Sequence, residues 1–335
     1  MPSKRWAKFL LALLLVIGVA VGGSVFWFSS FLHQAVAPPQ EVLLQVKPGS
    51  SFTRLAYEFE HAGVISDARR FILLARWQQV AAQVHAGEYL FTEAATPEKI
   101  LERLVAGDVR KLHLTIPEGF SMAEIAARVE AVGIGGGDDF LALATDPQLI
   151  KQLGIDATTL EGYLFPETYT YTSDTTLTGL LTAMVEQFKQ QASAKMLAAA
   201  SERGLNRHQW VTLASIIQKE AGNDTEMPLI AAVFHNRLRL GIPLQADPTV
   251  IYGISDFDGN LTRRHLKEDT PYNTYRRRGL PPGPIASPGS NALQAAAVPA
   301  EVKYLYFVSK GDGTHVFNAT LKEHNRDVRR YQLKR

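Results

Sequence analysis

The chain of 335 residues contains no cysteine. Disulfides, thiolate metal centres and a cysteine nucleophile are therefore excluded, although this absence does not fix a redox compartment. Excess charge is lacking too: 35 Lys and Arg stand against 33 Asp and Glu, a net of +2, too little for a nucleic-acid footprint. The 9 histidines are scattered and no H-E-x-x-H occurs, so neither a metal site nor any other cofactor is expected. Apolar residues make up 46% of the chain, an ordinary globular share, and the length allows two domains besides any tail.

Charge is also missing locally. Lys4, Arg5 and Lys8 precede an uncharged run from Phe9 to Phe28. As a helix that run is about 30 Å long, enough to cross a bilayer's hydrocarbon core. Basic residues before it place residues 1–8 in the cytoplasm, 9–28 in the membrane and the bulk on the outer side. A cleaved signal peptide is the rival reading, since Ala35-Val36-Ala37 fits a small-x-small cleavage site.

Beyond Pro38-Pro39, Glu41–Val46 reads as a strand, Pro48-Gly49 as a turn, and Ser50 or Ser51 as the cap of a helix that stops at Gly63. A second helix follows Ser66-Asp67, then a strand over Ala86–Phe91 and a helix opened by Thr96-Pro97. The turn and helix recur downstream. Gly49, Ser51, Leu55, Ala56, Glu60, Gly63 and Val64 match Gly119, Ser121, Ile125, Ala126, Glu130, Gly133 and Ile134 at a constant offset. The pattern resembles the first half of a LysM glycan-binding module, a small β-α-α-β unit; a plain α+β packing domain is the alternative.

Past Gly135-Gly136-Gly137, one helical stretch is expected over Asp138–Leu153 and a long amphipathic helix over Thr176–Arg203. Between them, Leu160–Tyr171 is rich in aromatics, carries Glu161 and Glu167 and is interrupted by Pro166. A core strand tolerates such a proline poorly. Aromatics beside acids in a loop suit stacking on sugar rings, here Tyr163 and Phe165; an aromatic core corner is the alternative.

The stretch Val211–Gly222 reads V-T-L-A-S-I-I-Q-K-E-A-G. Leu213, Ile216, Ile217 and Glu220 share one helical face. A carboxyl held against Leu and Ile is poorly solvated, so its pKa should rise. An acid still protonated near neutrality can serve as a general acid in glycan cleavage. Further on, Asn223 and Glu226 have capping-box spacing, and a helix follows to about Leu240 with His235 on it. Asp247-Pro248 should cap a short helix. Tyr272-Asn273-Thr274-Tyr275, three arginines and the stiff run Gly279–Ile285 come next. That run suits a cleft wall, and the arginines suit either an anionic glycan or headgroup, or plain solvent. A hairpin over Lys303–Phe317 and a helix over Thr320–Gln332 close the chain.

Together these pieces resemble the endolytic murein transglycosylase family, the YceG-like (MltG) proteins. The matching segments are Glu161–Pro166, Ala214–Glu220, Phe234 with Asn236–Leu238, Leu244-Gln245 with Asp247–Gly253, Tyr272–Tyr275, Gly279–Ile285 and Tyr304–Val308. The family often has E-K-E where this chain has Gln218-Lys219-Glu220, so its catalytic glutamate falls on Glu220. The resemblance implies an α+β chain: an N-terminal transmembrane helix, a LysM-like subdomain over 40–110 and a mixed α+β catalytic domain over 111–335. It implies a membrane-anchored lytic transglycosylase acting on peptidoglycan strands beside the synthases that make them. Substrate contacts are expected from Glu161, Tyr163, Phe165, Gln245, Asp247, Tyr252, Tyr272, Asn273, Tyr275 and Pro282. Two alternatives stay open. One is a non-catalytic glycan-binding scaffold. The other is a two-carboxylate hydrolase that pairs Glu220 with Glu161, Glu167 or Asp247.

Overall fold

The computed structural model describes residues 4–333. The first three residues of the 1–8 segment and the last two of the 111–335 region lie outside them. The fold is mixed α+β, and it divides into two compact units. One holds residues 1–112 with 170–174, the other 113–169 with 175–335.

The first unit begins with α1 (Lys4–Leu32), whose apolar stretch from Lys8 to Leu32 is long enough to cross a membrane. Then come β1 (Val42–Val46), α2 (Phe52–His61), α3 (Ala68–Trp77), β2 (Gly87–Phe91) and α4 (Pro97–Ala106). β1 and β2 pair antiparallel, with Val42 opposite Phe91 and Val46 opposite Gly87. Alternation along β2 turns Tyr89 and Phe91 inward. They meet Phe59 and Leu55 from α2, Phe71 and Leu74 from α3, and Leu101 and Leu104 from α4. Phe31, in the last turn of α1, is wholly buried in the same core. The apolar helix therefore ends inside the folded unit rather than at its edge.

The second unit contains most of β3 (Leu112–Thr115), then α5 (Met122–Ala131), α6 (Gly137–Ala144), α7 (Pro147–Gln152) and the start of β4 (Thr168–Tyr171). The Thr115 and Thr168 hydroxyls lie 2.9 Å apart. α8 (Leu177–Gln191), α9 (Ala194–Glu202), α10 (Arg207–Glu220), α11 (Met227–Leu240), α12 (Asp247–Tyr252) and α13 (Ser290–Ala297) follow. β5 (Tyr306–Ser309) and β6 (His315–Asn318) form the expected hairpin, and α14 (Leu321–Tyr331) closes the chain behind a Thr320–Glu323 capping box.

The internal echo holds in three dimensions. Ser51 caps α2 by accepting from the Arg54 N–H, and Ser121 caps α5 by accepting from the Glu124 N–H. Gly63 and Gly133, just past the two helices, have φ of 74° and 77°, a conformation that disfavours any residue with a Cβ.

Four sequence expectations are corrected. The stretch 138–153 is two helices, because Pro147 starts a new one with Asp146 as its cap. The stretch 176–203 also breaks, at Ser193, which caps α9 by accepting from the Met196 N–H. Both breaks follow one rule: a good cap or an N1 proline outcompetes continued periodicity. Asn223 does accept from the Glu226 N–H, but the Glu226 carboxylate turns away to His315, 2.7 Å off, so the capping box is half made. Asp247 does not cap α12; its carboxylate accepts the Tyr275 hydroxyl at 2.6 Å instead.

Candidate active site

α10 is started by a capping box between Asn206 and Gln209. Its inner face carries Trp210, Leu213, Ile216 and Ile217, all without exposed surface. The Trp210 indole donates to the Leu293 carbonyl on α13 at 2.8 Å. Along the helix, the proline-rich run is fixed in place. Ser215 Oγ accepts from the Ile285 N–H at 3.1 Å, and Gln218 Oε1 from the Gly289 N–H at 2.9 Å. The chain leaves the helix at Ala221 in extended conformation. Gly222 then passes so close to the Gly313 carbonyl of the β5–β6 turn that any Cβ would collide with it.

Glu220 is the last residue of α10 and is partly exposed. Burial, with a further push from the negative charge of Asp247, raises its carboxyl to about 8, while Arg237 pulls the other way. No described residue hydrogen-bonds that carboxyl. The acid is thus protonated at neutral pH and free to give its proton to something else.

Arg237 is the charged residue within the buried face of α11. Its Nε donates to the Leu305 carbonyl at 2.7 Å, and Nη1 to the Leu244 carbonyl at 2.7 Å and Gln245 Oε1 at 3.3 Å. The guanidinium also lies 5.1 Å from the centre of the Tyr306 ring. It therefore sets both the loop before α12 and the strand entering the hairpin. Thr274 fastens that loop from the far side: its carbonyl accepts from the Gln245 N–H and its hydroxyl from the Ala246 N–H, at 3.1 and 3.0 Å. Gln245 is held at φ 52°, rare for a residue with a Cβ. Gln245 and Asp247 are exposed and Tyr275 partly so. Asp247, Tyr275 and Arg237 are the groups that interact electrostatically with Glu220, and Gln245 joins them through its bond to Arg237.

The other expected site residues are placed elsewhere. Glu161 is buried; its carboxylate accepts the Met122 N–H at the start of α5 and the Tyr252 hydroxyl at 3.0 Å. Burial raises it to about 7, against the lowering by those hydrogen bonds. Tyr252 packs on Tyr272 with ring centres 4.9 Å apart. Tyr163 and Phe165 are core residues, the former bonded through its hydroxyl to His208 Nδ1 at 2.9 Å. Asn273 has no exposed surface, and its amide donates to the carbonyls of His265 and Glu268. Tyr163, Phe165 and Asn273 thus offer no face to a ligand in this structure, contrary to the sequence expectation, because packing and backbone bonds use them fully. Pro282 lines a separate cavity of about 1090 Å³ together with His208, Asn206, His235 and Asn236; Glu220 is not among its lining residues. Arg237 and Tyr306 were not expected at the site. The visible signal was Arg237, the first of two arginines set among the apolar residues of Ile230–Leu240.

A sequence model of the YceG-like family matches residues 44–330. The chain belongs to the YceG-like family. A Bacillus subtilis protein named endolytic murein transglycosylase is 31% identical over 328 residues, covering 93% of this chain and 91% of its own length. One of the same name from Streptococcus pneumoniae (D39) is 26% identical, and the match covers 96% of this chain but 64% of that longer protein. The crystal structure of a YceG-like protein from Listeria monocytogenes, 31% identical, superposes with a TM-score of 0.60 over 86% of this chain and 98% of its own.

Proposed function

We propose that this YceG-like protein is an endolytic peptidoglycan lytic transglycosylase with Glu220 as its only catalytic carboxyl. The observation that carries the reading is one acid, raised to about 8 and unengaged by hydrogen bonds, at the end of a rigid buried helix. The protonated Glu220 gives its proton to the oxygen joining N-acetylmuramic acid to N-acetylglucosamine, and the C1–O bond breaks. The resulting carboxylate takes the proton of the muramic C6 hydroxyl as that oxygen bonds to C1. The product is a 1,6-anhydro end, the acid is regenerated and no water is consumed. Gln245, Asp247 and Tyr275 hold sugar hydroxyl and N-acetyl groups at the exposed edge, with Tyr252, Tyr272 and Pro282 as more distant contacts. Asp247 favours a second reading, a hydrolase, because it is the carboxylate whose charge Glu220 senses.

Residues 9–28 span the cytoplasmic membrane with residues 1–8 inside, so cleavage occurs on the outer side, near the peptidoglycan synthases. There it ends the growth of nascent strands. Residues 40–110 act as a LysM-like subdomain and 111–335 as the catalytic domain. The β1-α2-α3-β2 order with β1 against β2 supports the first assignment.

Mass analysis of glycan strands treated with wild type and Glu220→Gln tests the chemistry. Internal fragments with anhydromuramic ends, lighter by one water than hydrolysis products and absent with the variant, are expected. Reducing ends would replace the lyase with the hydrolase. No cleavage of nascent or mature strands would leave a binding scaffold.

A further inference from the structure

The outer face of α3 carries Arg69, Leu73, Arg76 and Trp77, all exposed, at the i, i+4, i+7 and i+8 spacing of a single helical stripe. Leu73 is 48% and Trp77 70% exposed. The stripe does not stand alone. Leu73 and Trp77 join Ser24, Val25, Phe28 and Leu32 of α1 around a groove of about 440 Å³. Trp77 meets Phe28 edge to face at 6.3 Å. Arg70 ties the two helices: its Nη1 donates to the Trp27 carbonyl at 3.2 Å, and its guanidinium lies 4.9 Å from the Trp27 ring. Ser24 to Leu32 takes up the last ~12 Å of α1, the level at which a helix spanning from Phe9 leaves the hydrocarbon for the headgroups.

An apolar groove continuous with a lipid-facing helix, tipped by tryptophans and flanked by arginines, has the composition of a bilayer interface. We propose that α3 is docked on the phospholipid surface, with Leu73 and Trp77 at the acyl-chain boundary, an acyl chain in the groove, and Arg69 and Arg76 against lipid phosphates. This rests on the reading of α1 as a membrane span. It goes further in making the first unit a peripheral membrane domain held flat by a second contact, not a body hanging from one point.

The absence of cysteine makes the test direct. The full chain is placed in vesicles of phosphatidylethanolamine with phosphatidylglycerol, carrying one bimane-labelled cysteine: Leu73→Cys, Tyr57→Cys on the outer face of α2, or Leu14→Cys within α1. The label at 73 should be quenched severalfold more by lipid-borne nitroxide than by aqueous iodide, as at 14, with the reverse at 57. Lipid quenching at 14 with iodide quenching at 73 overturns the docking and leaves the anchor standing. Iodide quenching at 14 overturns the anchor, and the docking with it.

Discussion

Replacing Glu220 by glutamine should make the protein more stable at alkaline pH while abolishing its chemistry. The ordinary carboxyl value is 4.5, and in the folded chain burial and Asp247 lift Glu220 to about 8. The folded state therefore holds this proton more tightly than the unfolded one. The contribution of Glu220 to stability is most favourable below 4.5, declines as pH rises between the two values, and carries the full cost above 8. At about 1.36 kcal/mol per pH unit the ceiling is ~5 kcal/mol. Partial exposure of the side chain reduces that to a few kcal/mol. Glutamine has nearly the same shape and no charge, so it escapes the cost. Full-length wild type and Glu220→Gln in detergent should differ little by calorimetry at pH 4.5. At pH 9 the transition of the unit bearing Glu220 should lie several degrees higher in the variant. A gap that stays constant with pH would mean that Glu220 titrates normally and that its proposed role as a resting acid is unfounded.

Three further outcomes follow from the same surroundings. Wild-type cleavage should fall about tenfold between pH 7 and pH 9 as the protonated fraction of an acid near 8 declines; a flat profile counts against Glu220 as donor. Asp247→Asn removes a charge that raises Glu220 and should move that alkaline limb to lower pH, by less than about one unit because burial is the larger cause. Arg237→Met strips a donor from the carbonyls of Leu305, Pro243 and Leu244, costing on the order of 3 kcal/mol in a denaturant titration. In any folded fraction it should shift the limb upward, opposite to Asp247→Asn.

Much of the architecture was legible because it is written in local chemistry. Caps at Ser51, Thr96, Ser121 and Thr320, and the positive-φ glycine at 241, mark helix ends whatever surrounds them. The apolar face leading to Glu220 was legible by period alone. What depended on distant partners was not. Nothing near Glu226 announces His315, and nothing near Asp247 announces Tyr275. Asn273 and Tyr163 read as sugar contacts because polar aromatic segments look alike whether they face a ligand or a neighbouring backbone. Their burial is decided by the loop at 265–268 and by His208. α13 is hard to read from sequence, although Ala-Leu-Gln-Ala-Ala-Ala is a strong helix former. Its short run lies in a proline-rich neighbourhood, and its importance shows only through the packing of Trp210.

The burial of Phe31 has a consequence for how the chain matures. A peptidase cutting after Ala37 would remove not merely a leader but a side chain with no exposed surface from the core it shares with Phe59 and Phe71. Emptying such a position costs roughly 3–5 kcal/mol, a large share of what a small domain has to spare. A secreted, trimmed form would emerge with a hole at its centre. In this fold the last turn of the first helix belongs to the hydrophobic core of the first unit, so a cut after Ala37 would weaken that unit as well as shorten the chain.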